Sequence, residues 1–208
     1  MKPLIEFVNI NKKFGDRTIY NPPLNFAINS GDKFGISGNS GAGKSTALNL
    51  IMGFVEPDEG EIYIDNNPNN PAIINNFRKK CFWIPQSFNF LKGIKVIEAI
   101  EKPFNFEINK SIKPDQNKIL EFMEKVKLNS KLLESDINEL SGGERQRICT
   151  VIAMLLDRDI IILDEPTSNL DMEISDGIID MFFGSGKTII ISTHDKSIYD
   201  KCNIVIRL

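Results

Sequence analysis

The segment Gly38-Asn39-Ser40-Gly41-Ala42-Gly43-Lys44-Ser45 restricts what this chain can become more than any other stretch. Its spacing is that of a phosphate loop. In such a loop glycines let backbone N–H groups wrap a phosphate, a lysine reaches the terminal phosphates and a hydroxyl binds Mg²⁺. The apolar run Phe34 to Ile36 before it reads as a strand, and Thr46 to Met52 after it reads as a helix. A helix starting there adds the positive end of its dipole to an anion site. A chance glycine-rich turn would share the letters but not this context.

Beta-branched and aromatic runs bounded by Gly, Asn and Pro alternate with helical patterns along the chain, which is the signature of an α/β fold with a largely parallel sheet. Leu4 to Ile10 and Asn25 to Ile28 alternate apolar and polar residues as antiparallel strands with one exposed face do, so a mixed sheet is expected. Strand-like runs also occur at Ile160 to Leu163, Thr188 to Ser192 and Asn203 to Ile206. From about Ser87 to Leu156 the patterns are mostly helical. Within it, Pro114 to Lys127 puts Ile119, Phe122, Met123 and Val126 on one helical face. The expectation is a single domain over 1–208, with an α/β core in 1–86 and 157–208 split by a helical subdomain in 87–156. Asn66-Asn67-Pro68-Asn69-Asn70-Pro71 reads as a surface loop.

With 208 residues, 25 Lys or Arg against 28 Asp or Glu, and a formal charge of −3, the chain lacks the basic excess of proteins that coat nucleic acid, and no nucleic-acid partner is expected. A hydrophobic fraction of 41% is too high for a disordered chain. The apolar runs fall well short of the roughly 20 residues that cross a bilayer. The start carries no leader pattern. The three cysteines, Cys81, Cys149 and Cys202, have no close pair; unpaired core thiols in a reducing, cytoplasmic setting are expected.

Ile160-Ile161-Ile162-Leu163-Asp164-Glu165 places two carboxylates at the end of a buried strand, where open parallel sheets bind their ligands. One carboxylate suits Mg²⁺, and the next can accept a proton from an attacking water. They could equally mark the solvated end of the strand before Pro166. Leu140-Ser141-Gly142-Gly143-Glu144-Arg145-Gln146 reads locally as a helix start, with Ser141 as N-cap and Glu144 closing a capping box. Adjacent glycines there leave the first amides accessible, and an accessible helix N-terminus can hold an anion.

That last segment strongly resembles the signature of the ATP-binding-cassette ATPases, and the resemblance runs from about Phe7 to Ile206. Gln86, after Phe82-Trp83-Ile84, resembles the family's glutamine-loop residue. Ser168-Asn169-Leu170-Asp171 resembles its aspartate loop, and Ser192-Thr193-His194-Asp195, with the chain's single histidine, its switch histidine. Phe14 matches the aromatic that stacks on adenine in relatives, although an aromatic near a strand end is also commonly core. The resemblance implies a P-loop NTPase core, ATP and Mg²⁺ as cofactors, and two cassettes head to tail. Each ATP then lies between one subunit's phosphate loop, Gly38 to Ser45 with Thr46, and the other's signature residues Ser141, Gly142 and Gly143, with Asp171 of the aspartate loop also binding the nucleotide. Lys44 would hold phosphate, Ser45, Asp164 and Gln86 would organise Mg²⁺, Glu165 would act as general base, His194 would steady the γ-phosphate, and Gln86 would couple the site to the helical insert.

The chain also departs from its relatives. Val151-Ile152-Ala153-Met154 stands where Ala-Arg-Ala-Leu is common, so Ile152 replaces an arginine; the helix between Asp171 and Thr188 is a few residues short; and the sequence stops at Leu208, before a glycine-containing turn. These trims are expected to affect stability or partner contacts more than catalysis. Two functional classes follow from the resemblance. One is a transporter's ATP-hydrolysing subunit, working with a second ATPase subunit and separate transmembrane permease subunits, peripheral on the cytoplasmic face of the cell membrane. The other is a soluble ATPase switch with no transported substrate.

Overall fold

The computed structural model describes residues 2–86 and 93–208. In chain order, strands β1 (Ile5–Asn11), β2 (Lys13–Phe14), β3 (Arg17–Thr18) and β4 (Leu24–Ile28) lead to β5 (Lys33–Ser37) and helix α1 (Lys44–Ile51). Next come β6 (Glu59–Ile64), β7 (Asn67–Pro68), α2 (Pro71–Lys79) and β8 (Cys81–Ile84). Helices α3 (Val96–Glu101), α4 (Gln116–Lys125) and α5 (Gly142–Leu156) follow, with short 3-10 turns between them. The chain returns to β9 (Ile160–Asp164), α6 (Met172–Phe183), β10 (Thr188–Thr193), α7 (Lys196–Tyr199) and β11 (Ile204–Arg207).

The strands sort by direction. A five-stranded sheet, ordered β11-β5-β10-β9-β8, is parallel throughout, whereas β4-β1-β6-β7 form a separate antiparallel sheet and β2-β3 a small hairpin. The parallel and antiparallel strands thus occupy two sheets rather than one mixed sheet. Every residue of β9 and β10 is buried, which is why both read as unbroken apolar runs. Successive side chains alternate between two cores. Ile161, Leu163, Ile189 and Ile191 pack with Val96, Met123, Ile148 and Ile179 of the helices, while Ile160, Ile162 and Ile190 pack with Leu48 and Ile51 of α1 and with Ile62 and Ile64 of β6. A run of rings ties the antiparallel sheet to the parallel one: Phe7 stacks on Phe26 at 4.3 Å between centroids, and Phe26 meets Phe34 of β5 at 4.8 Å.

Helix α4 buries Ile119 and Met123, and Val126 just beyond it is buried too, as the helical face requires. Among the described residues between Gly93 and Leu156 no strand occurs; the start of the 87–156 segment, residues 87–92, lies outside them. The asparagine-rich stretch is more ordered than a loop. Asp65 and Asn66 adopt left-handed φ of 50° and 61° and turn a hairpin, so that Asn67 and Pro68 pair with Ile64 and Tyr63. Asn70 then caps α2, accepting from the amides of Ala72 and Ile73 at 3.0 Å. Asparagine chemistry, not sequence periodicity, builds those elements. The thiols are unpaired, and burial pushes Cys81 up to about 12, Cys202 to about 11 and Cys149 well above its usual range.

Because Ile162 is fully buried in β9, Ile162→Ala should destabilise the protein by about 2–5 kcal/mol, whereas truncating Met172, exposed at 82%, should stay within about 0.5 kcal/mol. Urea melts of the two variants distinguish these outcomes; equal shifts would contradict the layer assignment.

Candidate functional site

Four strand ends make the site. Thr193 pairs with Ser37, Ser192 with both Ile36 and Asp164, and Leu163 with Ile84. The segments leaving β5, β10, β9 and β8 therefore emerge side by side, bringing the phosphate loop, His194, Glu165 and Gln86 to the carboxyl edge of the sheet, where parallel sheets bind ligands. A cavity of about 620 Å³ opens there; Phe14, Asn39, Ser40, Gly41, Gly43, Lys44, Ser45, Thr46, Gln86, Glu165 and His194 all line it.

The loop holds its shape through backbone demands. Gly41 and Gly43 have φ of 78° and 100°, and a methyl group on Gly43 would sit 2.6 Å from Ile19 Cγ2. Conformation and space both require glycine at that position. Tyr20 Oη donates to the Gly43 carbonyl at 3.0 Å, Arg17 Nη2 to the Gly41 carbonyl at 3.1 Å, and the Ala42 amide to the Asn39 carbonyl at 3.1 Å. Helix α1 starts directly after Gly43, so its unpaired N–H groups and positive dipole end lie at the loop.

Charges are buried beside it. Lys44, Asp164 and Glu165 are each less than a tenth exposed. Lys44 Nζ donates to the carbonyls of Gly38 (2.9 Å) and Asn39 (3.2 Å) and lies 3.0 Å from Glu165 Oε1. The other carboxylate oxygen, Oε2, is 2.9 Å from His194 Nδ1. Asp164 Oδ1 accepts from Ser45 Oγ at 3.2 Å and from Ser192 Oγ. Two buried carboxylates face one buried ammonium, a surplus of negative charge that a cation would offset. Among the described residues there is no cluster of three or more His, Cys, Asp or Glu for a metal. Ser45 and Asp164 instead offer two hard oxygens, which suits Mg²⁺, an ion that takes few protein ligands and completes its shell with water and phosphate.

Ser141, Gly142, Gly143 and Asp171 lie outside this cavity. Ser141 caps α5: its Oγ accepts from the Glu144 amide at 3.2 Å, and its own amide donates to Glu144 Oε2 at 2.8 Å. Ser141 Oγ also donates to Glu144 Oε2 at 2.7 Å, and that bond, with the one from the Ser141 amide, holds the Glu144 carboxyl below its usual range. Gly142 is exposed and Gly143 half-buried. Asp171 caps α6 by accepting from the Ile174 amide at 3.3 Å.

Three contributors were given no role at the site by the sequence. Arg17 and Ser168 line the cavity, and Ser192 bonds Asp164 and also accepts from the Glu165 amide at 3.2 Å. Ser192 stood inside the histidine motif, but nothing local signals a bond to a residue 28 positions away. Ile152, in the place of the common arginine, is buried and helps line a second cavity, of about 430 Å³, with Phe82, Trp83 and Phe106.

Comparison with known proteins agrees with this geometry. Residues 22–168 match the family model described as ABC transporter. The chain is 32% identical over 205 residues to an uncharacterized ABC transporter ATP-binding protein of Methanocaldococcus jannaschii, covering 92% of this chain and 87% of that protein. It is 33% identical to a phosphonates import ATP-binding protein of Fusobacterium nucleatum, covering 97% and 86% respectively. A dimeric post-hydrolysis state of the same M. jannaschii cassette, bound to ADP and Pi, superimposes with a TM-score of 0.79 at 29% identity, covering 98% of this chain and 94% of that one. With its phosphate loop, strand-end carboxylates and histidine gathered at one sheet edge, the chain belongs to the ABC transporter family and is an ATP hydrolase of the ATP-binding-cassette type.

Proposed function

We propose that this ATPase binds Mg-ATP against the phosphate loop of one copy and Ser141 to Gly143 of a second. Its hydrolysis then powers transport by separate transmembrane subunits, with the protein peripheral on the cytoplasmic face of the membrane. The observation that carries the catalytic half is the Glu165 carboxylate suspended between Lys44 at 3.0 Å and His194 at 2.9 Å, at the end of β9. In this reading Lys44 and the loop amides hold the phosphates of ATP, leaving Glu165 with His194 and the attacking water, whose proton Glu165 accepts. Electrostatic placement does most of the work in such a transfer. Ser45 and Asp164, with Gln86 at the cavity wall, would hold Mg²⁺, which supplies neutralisation of charge on the transferring phosphates.

The dimer is supported by where the signature sits. Ser141, Gly142 and Gly143 are beyond the chain's own cavity, yet Gly142 is exposed at the start of a capped helix, as a segment that serves another copy's nucleotide must be. The related M. jannaschii cassette is a dimer in its ADP and Pi complex. For the transport half, relatives are named ATP-binding proteins of ABC transporters. No helix among the described residues is long and apolar enough to cross a membrane, so in this reading the spans belong to the partner subunits. The cavity at Ile152, with exposed Phe106 at 58% and Ile108 at 43%, supports a partner seated between β8 and α3.

Glu165→Gln keeps the side chain's volume but cannot take the proton, so kcat should fall by about 10²–10⁴-fold while ATP binding persists. Light scattering after size exclusion should then show an ATP-bound dimer accumulating. A variant that stays monomeric with ATP bound, or turns over at the wild-type rate, removes Glu165 from the base role. Lys44→Ala should weaken ATP affinity itself, by about 10-fold or more, because a charge-assisted contact to phosphate is lost; unchanged affinity in a nucleotide titration would contradict its assignment. If each site needs two chains, the wild-type rate should rise faster than linearly with protein concentration until the dimer saturates, and a linear plot through the monomeric range would contradict the shared site.

A further inference from the structure

Glu165 carries a backbone that its neighbours must enforce. Its φ is 48°, in the left-handed region, and the residue after it is Pro166. A side chain with a Cβ resists that region, and a following proline steers its predecessor toward extended conformations. On one flank the Glu165 amide donates to the Ser192 carbonyl at 3.0 Å and to Ser192 Oγ at 3.2 Å. On the other, the buried Pro166 carbonyl accepts from Nε2 of Gln146, which reaches across from α5.

Gln146 is an odd choice for that place on packing grounds. It is 5% exposed, and its Oε1 is buried with no hydrogen-bond partner among the described residues. A glutamine there delivers one N–H to Pro166 and leaves its own acceptor unmet, whereas an apolar residue of similar size would remove that acceptor but leave the Pro166 carbonyl without its donor. The same turn of α5 approaches the loop at a second point: a methyl group on Gly143 would meet the Asn169 carbonyl at 2.5 Å. The first turn of the signature helix is therefore seated directly on the loop that carries the catalytic carboxylate.

We propose that Gln146 is a positioning residue for hydrolysis. Its N–H fixes the Pro166 carbonyl, which holds Glu165 in the left-handed backbone that aims its carboxylate between Lys44 and His194. This rests on the reading of Glu165 as the general base. The role is one of orientation only, since Gln146 does not line the nucleotide cavity.

Gln146→Leu tests it. Leucine removes the donor and the unmet acceptor together and leaves the Pro166 carbonyl unpartnered instead, one buried unmet acceptor exchanged for another. The melting temperature should therefore stay within about 5 °C of wild type. With the backbone released, kcat should fall by about 10–100-fold, the scale of an ångström-sized misplacement, while the ATP dissociation constant of the purified protein moves by less than about 3-fold. Gln146→Met gives the same test should the branched side chain prevent folding. Gln146→Glu adds a signature that a packing role would not produce: a carboxylic acid donates to Pro166 only when protonated, so the ratio of variant to wild-type kcat should climb as pH is lowered, at constant ATP affinity. Wild-type kcat in Gln146→Leu beside an inactive Glu165→Gln overturns the positioning role and spares the base. Parallel losses of kcat and ATP affinity overturn it as well, because they signify general damage. A Glu165→Gln protein that turns over normally removes the base reading, and this proposal with it.

Discussion

In-register parallel pairing of β5, β10 and β9 is the constraint on which the site depends. Thr193 opposite Ser37, and Ser192 opposite Asp164, end three strands within one residue of each other along the sheet, so the loop, the histidine and the carboxylates leave the sheet within reach of one another. Side chains in a strand alternate, and a slip of one residue would turn Ser192 away from Asp164 and exchange the members of the two apolar cores. Both faces of β9 and β10 are buried, which makes such a slip expensive on either side. The register is thus enforced by packing far from the chemistry that uses it.

What stands at the end of that ladder is not there for stability. Lys44, Asp164 and Glu165 are almost fully withdrawn from water, and a buried ion pair seldom offsets the desolvation of its members. Glu165 adds a left-handed backbone, a conformation that costs of order 1–3 kcal/mol and persists only when its surroundings impose it. Ser192 does the imposing twice, through its carbonyl and its hydroxyl, while the same hydroxyl orients Asp164. One serine thereby sets the relative position of the two carboxylates, and the rigid core behind it supplies the stability that the site itself gives up.

Features governed by short-range chemistry were legible in the sequence. The phosphate loop, the strand before it and the helix after it depend on neighbours a few positions away, and so does the Ser141–Glu144 capping box. Long-range features were not. The Ser45 to Asp164 bond spans 119 positions, and the division of strands into a parallel and an antiparallel sheet is a matter of which strand finds which, something alternation within a strand does not encode. The asparagine run misled for a different reason: Asp65, Asn66 and Asn70 use side chains and left-handed backbone to turn and cap, and polar composition conceals such order. Ile152 was visible as a departure from the common arginine, but its burial against an apolar cavity follows only from the packing of α5 on β8.

Gly143 shows why a short motif can carry two demands at once. Exposure of the helix start is what a phosphate from another copy would need, and Ser141 and Gly142 are exposed. Gly143 is only half-buried by comparison, and the room that a side chain would take is filled by the Asn169 carbonyl of the loop following Glu165. Any larger residue would therefore push the helix start away from that loop, whatever it did to an arriving anion. In the proposed head-to-tail pair the signature of one chain would serve the site whose base sits on the other chain, so the helix start at Gly143 would face the partner's nucleotide while resting, at Asn169, on the loop that follows its own Glu165.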